Sequence, residues 1–280
     1  MKRLFSIVLL FMSIFSPISE SAEPESFITE KLIFEHQGKD LVGVLSRPEV
    51  VQGQKIPLVI LMHGLAATKE YPIIKDTADA LENKGIATLL FDFSGHGESG
   101  GRDVDMTVPR QIEEAKIFAQ YALQLDWVSS VTLLGHSQGG LVAGYVAAEF
   151  GAEYIPYLVL LSPASVLIDF AQTGTLSGQY FFDPHNIPNT FPLNSYFTIS
   201  KSYITTMSDL PPVYKTAKSY RGKVLLFEGS ADVVVPPSYV KKYADSYPYC
   251  TFEFLDGDNH SFSVYHQQVI DKIVNFVLQK

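Results

Sequence analysis

One stretch constrains the fold more than any other. In VTLLGHSQGGLVAGYVAAEF, residues 131–150, a continuous apolar run passes directly into a helical apolar stripe through Gly135-His136-Ser137-Gln138-Gly139. A chain that turns so sharply from buried strand to helix needs glycines around the bend, and a serine at the corner has its hydroxyl thrust out of the backbone. Ser137 is therefore the candidate nucleophile. A second match to the same G-x-S-x-G formula, Gly97-Glu98-Ser99-Gly100-Gly101, has no such setting. It follows a strand end, lies among glycines and leads into Arg102-Asp103, so Ser99 reads as a turn residue.

Further short apolar runs, PLVILMHG, GIATLLFDF, YLVLLSP and KVLLFEGS, have the continuous character of strands covered on both faces. Between most of them lie stretches with apolar residues at three- and four-residue spacing, which predict helices over about 71–84, 107–124, 138–150, 236–246 and 264–279. Asp105 or Thr107 is placed to cap the second, with Pro109 in its first turn. Strand and helix in alternation give an α/β architecture, a mostly parallel central sheet with helices on both faces and functional loops at the carboxyl ends of the strands. Before this pattern begins, SFITEKLIFEH and DLVGVLSRP alternate as an antiparallel hairpin around Gln37-Gly38-Lys39.

The rhythm breaks between LVLLSP and KVLLFEGS. Residues 163–219 show no clear strand–helix unit but carry many aromatic residues and prolines, and a structureless loop of that size is unusual in a compact domain. The interval is expected to be a cap inserted over the strand ends.

The 280 residues, 46% hydrophobic, suffice for one large domain, expected over 22–280. Residues 1–21 combine Lys2 and Arg3 with an apolar run from Leu4 to Phe15, a Pro17 break and small residues at 19 and 21. That is the three-part form of a signal peptide, too short for a membrane span, and it predicts a secreted or periplasmic protein with no stable membrane insertion. Its removal takes the formal charge from −9 to −10, because Lys2, Arg3 and Glu20 leave together. So acidic a chain repels nucleic acid rather than seeking it. No paired-histidine spacing or phosphate-binding loop is present, so no metal or cofactor is expected.

A serine hydroxyl needs a base within reach and a third group to orient that base. Among the seven histidines, His260 lies in LDGDNHSFS, a polar loop after the last apolar strand. The orienting acid is expected at Asp232, in the turn after KVLLFEGS, with Glu228, Asp256 and Asp258 as rivals. Serine, acid and histidine then follow in the chain order of a nucleophile elbow. Two backbone amides complete the set as an oxyanion hole: Gln138 at the helix start, and Leu65 after the sharp His63-Gly64 turn.

With His63-Gly64, the Phe91–Ser99 loop FDFSGHGES, the Ser137 elbow, Gly229–Pro236 and the His260 loop assembled, the chain resembles the α/β-hydrolase superfamily over nearly all of 27–280. Within it, GHSQGG, the FDFSGHGES loop and Asp183-Pro184-His185-Asn186-Ile187-Pro188 resemble cinnamoyl (feruloyl) esterases. That likeness implies a small-molecule ester substrate with a hydroxycinnamoyl group, its phenolic hydroxyl gripped by an insertion aspartate and tyrosine. Asp169 and Tyr203 are the nearest matches, with Phe170 where the acid would be expected. A peptidase, an acyltransferase or a non-catalytic ligand-binding protein are the alternatives the same residues leave open.

Overall fold

The computed structural model describes residues 27–176 and 180–279, so the segment read as a signal peptide lies outside the described residues. The chain opens with β1 (Phe27–His36) and β2 (Lys39–Pro48), paired antiparallel from Phe27 against Pro48 to His36 against Lys39. Gln37 and Gly38 make the turn at φ 51° and 75°, both left-handed, which matches the twist of the strands they join.

The alternating pattern follows as β3 (Ile56–Met62), α1 (Pro72–Glu82), β4 (Ala87–Phe91), α2 (Val108–Leu123), β5 (Val128–His136), α3 (Gln138–Phe150) and β6 (Tyr157–Leu161). The insertion comes next, with α4 (Leu167–Thr173), the strand pairs β7 (Thr175–Leu176) with β8 (Tyr180–Phe181) and β9 (Thr190–Pro192) with β10 (Thr198–Ser200), then α5 (Lys201–Thr205) and α6 (Val213–Ser219). The chain closes through β11 (Lys223–Gly229), α7 (Pro237–Ser246), β12 (Cys250–Leu255) and α8 (His266–Leu278). Thr107 is the residue that caps α2, accepting a hydrogen bond from the Arg110 amide at 3.3 Å.

Eight strands form one sheet in the order β1-β2-β4-β3-β5-β6-β11-β12, antiparallel at β1–β2 and β2–β4 and parallel from β4 onward. Its central strands are mostly apolar because both of their faces are buried, with Thr88, Thr132 and Glu228 among the buried polar exceptions. In β3, Leu58, Ile60 and Met62 join the core beneath α2, α3 and α7, whereas Val59 and Leu61 join the core beneath α1 and α8. This period of two within a continuous apolar run is what a strand between two helix layers requires.

The insertion is more structured than a loop. Tyr203 and Tyr220 are fully buried in the larger core, while Phe181 and Tyr196 are exposed. α6, at its carboxyl end, packs on α3 and α7 and so continues the helix layer of the main body. The Tyr145 hydroxyl of α3 donates to the Pro211 carbonyl oxygen at 2.7 Å, and the Thr198 amide donates to Asp103 Oδ2 at 2.6 Å, tying the insertion to the sheet domain.

Candidate active site

The carboxyl ends of β3, β5, β6 and β11 meet at one edge of the sheet, and Ser137 stands at the sharpest turn there. It has φ 55° and ψ −119°, a conformation that costs a non-glycine residue on the order of 1–3 kcal/mol and persists only where the surroundings enforce it. The enforcement is visible. A β-carbon on Gly135 would lie 2.2 Å from the Gly139 carbonyl oxygen, and one on Gly139 would lie 2.4 Å from that of His63. Strand, elbow and helix approach too closely for any other residue at these two places.

Asp232 and His260 meet across 28 residues. The His260 Nδ1–H donates to Asp232 Oδ2 at 2.6 Å, and Asp232 Oδ1 accepts from the Val234 and Val235 amides at 2.7 and 2.9 Å. Burial acts to raise the Asp232 carboxyl, but the bond from His260, its charge and the two amides outweigh it and hold the group below its ordinary value. With its Nδ1 proton committed to Asp232, the neutral imidazole carries its free lone pair on Nε2. His260 lines the same cavity as Ser137.

Two of the rival acids, and the second G-x-S-x-G serine, are engaged elsewhere. Asp258 shapes the histidine loop, accepting from the Asn259, Val264 and Tyr265 amides at 2.9, 3.0 and 3.1 Å. Asp256 accepts from the Ser230 hydroxyl at 3.0 Å. The Ser99 hydroxyl is a structural bridge, accepting from the Val42 amide at 2.8 Å and donating to the Asp92 carbonyl oxygen.

The cavity has a volume of about 260 Å³. Gly64, Leu65, Ser137, Gln138 and His260 line it, together with Leu167, Phe170, Leu176, Tyr180 and Leu193 of the insertion. Gln138 opens α3, where first-turn amides have no carbonyl partner inside the helix and the helix dipole favours negative charge. Its side chain is fixed by donating to Gln111 Oε1 at 2.6 Å and accepting from the Tyr203 hydroxyl. His63 is locked as well: its Nε2 accepts from the Phe93 amide at 3.1 Å, so Nδ1–H donates to the Gly64 carbonyl oxygen at 2.8 Å. Burial, reinforced by His96, pushes its pKa down to about 3, so the ring beside the Gly64-Leu65 turn is neutral.

The two residues expected to grip a phenol are not brought to the cavity. Tyr203 is fully buried, and its hydroxyl is committed to Gln138, so it braces the elbow rather than facing a ligand. Asp169 turns from the cavity toward Tyr239 of α7 and the neighbouring Tyr214, leaving Phe170 to line the wall. The physical reason lies in α4: successive helical residues point about 100° apart, so Asp169 and Phe170 cannot share one direction.

One participant was not assigned from sequence. His136, the residue before the nucleophile, donates Nε2–H to the backbone carbonyl of His260 at 2.8 Å. Its ring stacks on Tyr71 with centroids 5.2 Å apart, and the Tyr71 hydroxyl is 2.7 Å from Ser261 Oγ. Burial, and then the nearby His260, push its pKa down to about 3, so it ties the histidine loop to the elbow as a neutral ring. Its position inside the elbow motif was the only available signal.

Comparison with known proteins agrees with this fold. A family model described as alpha/beta hydrolase fold matches residues 57–214. A putative esterase/lipase of Mycoplasma pneumoniae is 26% identical over 232 residues, 72% of this chain and 81% of its own length. The solved structure of Est1E from Butyrivibrio proteoclasticus with ferulic acid bound superposes with a TM-score of 0.83 at 29% identity, covering 89% of this chain and 98% of that one. A triacylglycerol lipase of Pseudarthrobacter phenanthrenivorans is 31% identical over 94 residues, 32% of this chain and 28% of the lipase.

Proposed function

The chain belongs to the α/β-hydrolase fold family, and from that premise we propose that it is a serine-dependent carboxylic ester hydrolase working through an acyl-enzyme. The observation that carries the reading is the 2.6 Å bond from His260 Nδ1 to Asp232, made by an imidazole that shares a cavity with the elbow serine. His260 Nε2 takes the Ser137 proton as the hydroxyl oxygen attacks the ester carbonyl. Asp232 keeps the imidazole in the required tautomer and stabilises the imidazolium that forms. The Leu65 and Gln138 amides receive the developing oxyanion, and the helix start adds to their field. His260 then protonates the leaving alcohol, and water activated by the same nitrogen releases the acid.

For the acyl group we propose a compact, planar, hydroxycinnamoyl-type acid. Ferulic acid bound to Est1E supports this choice, as does a cavity with aromatic Phe170 and Tyr180 among aliphatic walls. Its volume of about 260 Å³ is slightly below the range of about 300–1,000 Å³ usual for ligand pockets, which favours short or flat acyl groups over long chains. Among the described residues no helix is long and apolar enough to cross a membrane. The proposal of export, to the periplasm or beyond, rests on the sequence of residues 1–21 alone.

A specificity screen of the purified protein tests the substrate. Because Asp169 and Tyr203 do not face the cavity, methyl cinnamate, which lacks the phenolic hydroxyl, is expected within about tenfold of methyl ferulate in kcat/KM. A site built to bind that hydroxyl would instead reject cinnamate by about 10⁴-fold. p-Nitrophenyl butyrate is expected to exceed p-nitrophenyl palmitate by at least about tenfold, and a preference for palmitate would contradict the compact-acyl assignment.

A further inference from the structure

Behind the proposed acid lies a second carboxyl group that the mechanism does not use. Glu228, four residues before Asp232 on β11, is 0% exposed, and no backbone or side-chain N–H is directed at either of its carboxyl oxygens. An ionised carboxylate so placed would be buried with no cation and no N–H donor to stabilise it. The polar groups it faces are the Asp232 carboxyl, from the turn after its own strand, and the Ser162 hydroxyl, from the end of β6. Ser162 is itself fully buried at φ 40°, and its hydroxyl also lacks a partner. Among the other ionisable groups at this edge, His260 and the neutral His136 face Asp232 and each other, while His63, Asp256 and Asp258 are bonded to Phe93 and Gly64, to Ser230, and to the histidine-loop amides.

Two adjacent buried carboxyls cannot both ionise, and their surroundings decide which one does. Asp232 has two backbone amides and an imidazole N–H directed at it, whereas Glu228 has none of these. A carboxylate offers about four lone-pair sites, and those three donors leave one open. We propose that Glu228 is a positioning residue kept protonated beside Asp232, its O–H donating to the open site while the Ser162 hydroxyl donates to its other oxygen. This rests on the reading of Asp232 as the orienting acid. Burial, and then the charge of Asp232, push the Glu228 carboxyl up to about 9, in keeping with that arrangement. The added donor pins the Asp232 carboxylate against rotation and moderates its charge, which sets how strongly it draws a proton onto His260.

Paired variants test the charge state and the hydrogen bond separately. Glu228→Gln keeps a neutral donor of the same shape, so kcat/KM stays within about threefold and the acid limb of its pH profile does not move. Glu228→Leu removes the donor and leaves Asp232 more strongly charged, so kcat falls by about tenfold with KM unchanged, and the acid limb moves to higher pH by about half a unit. If Glu228 were ionised, the Gln variant would instead remove a negative charge near the base and move the acid limb to lower pH. That result overturns the proposal, as does a Leu variant with the wild-type profile.

Thermal melts provide a readout independent of activity. A carboxyl whose folded pKa lies above its unfolded value binds a proton preferentially in the native state, so its contribution is present at low pH and lost as pH rises from about 4.5 toward 9. The Tm advantage of Glu228→Gln over wild type is therefore expected to widen from pH 5 to pH 8.5, and a constant difference overturns the proposal. An inactive wild-type enzyme would refute the ester hydrolase reading while leaving this second measurement decisive for Glu228.

Discussion

Replacing Ser137 with alanine is expected to lower kcat for a p-nitrophenyl ester by about 10⁶-fold and to abolish the burst of alcohol release, by the precedent of serine-protease triads. The expectation follows from the division of labour at the elbow. The leaving alcohol departs in a burst only if the acyl group is transferred to a protein oxygen, and Ser137 is the hydroxyl that the strained turn delivers to the cavity shared with His260. Alanine keeps the β-carbon and the same φ of 55°, so the turn is as strained as before and the fold is unchanged. Stopped-flow measurement of the burst, with a thermal melt as control, separates lost chemistry from lost structure. A variant that melts like the wild type and retains its burst would remove Ser137 from the mechanism.

Asp232→Asn has the second-largest expected effect, a loss of about 10⁴-fold in kcat. The reason is the hydrogen-bond pattern around one carboxylate. Oδ1 accepts from the Val234 and Val235 amides, so an asparagine must keep its carbonyl oxygen there and turn its NH₂ toward His260. Facing a donor, Nδ1 must become an acceptor, and the imidazole proton moves to Nε2. The nitrogen required to take the serine proton is then already occupied. Steady-state kinetics on Asp232→Asn and Asp256→Asn discriminate the candidates, because Asp256 bonds only to Ser230 in this neighbourhood and its loss is expected to be under tenfold. The reverse ranking would move the orienting acid.

Both predictions concern residues that could be found in the sequence, because local rules govern them. Ser137 announces itself by a strand-to-helix turn packed with glycines, and the central strands by apolar residues on both faces. The helices begin and end within two residues of the expected positions, as for α2 at Val108–Leu123 and α8 at His266–Leu278. The insertion obeys no such periodicity. Its short strands and helices are stabilised by contacts such as Tyr203 with Gln138, 65 residues away, and Thr198 with Asp103, 95 residues away. Asp169 and Tyr203 were therefore placed by resemblance alone, and a rotation of about 100° along α4 was enough to send one of them away from the cavity. The strap from Tyr71 and His136 to the histidine loop, and the carboxyl group of Glu228 behind Asp232, are likewise products of packing between distant segments.

The proposed mechanism requires that one serine become covalently acylated. Mass-spectrometric mapping of the chain after reaction with a fluorophosphonate tests it most directly. A single adduct on Ser137 is expected, with none formed in Ser137→Ala. An adduct on Ser99 in its place, or equal labelling of the alanine variant, would contradict it.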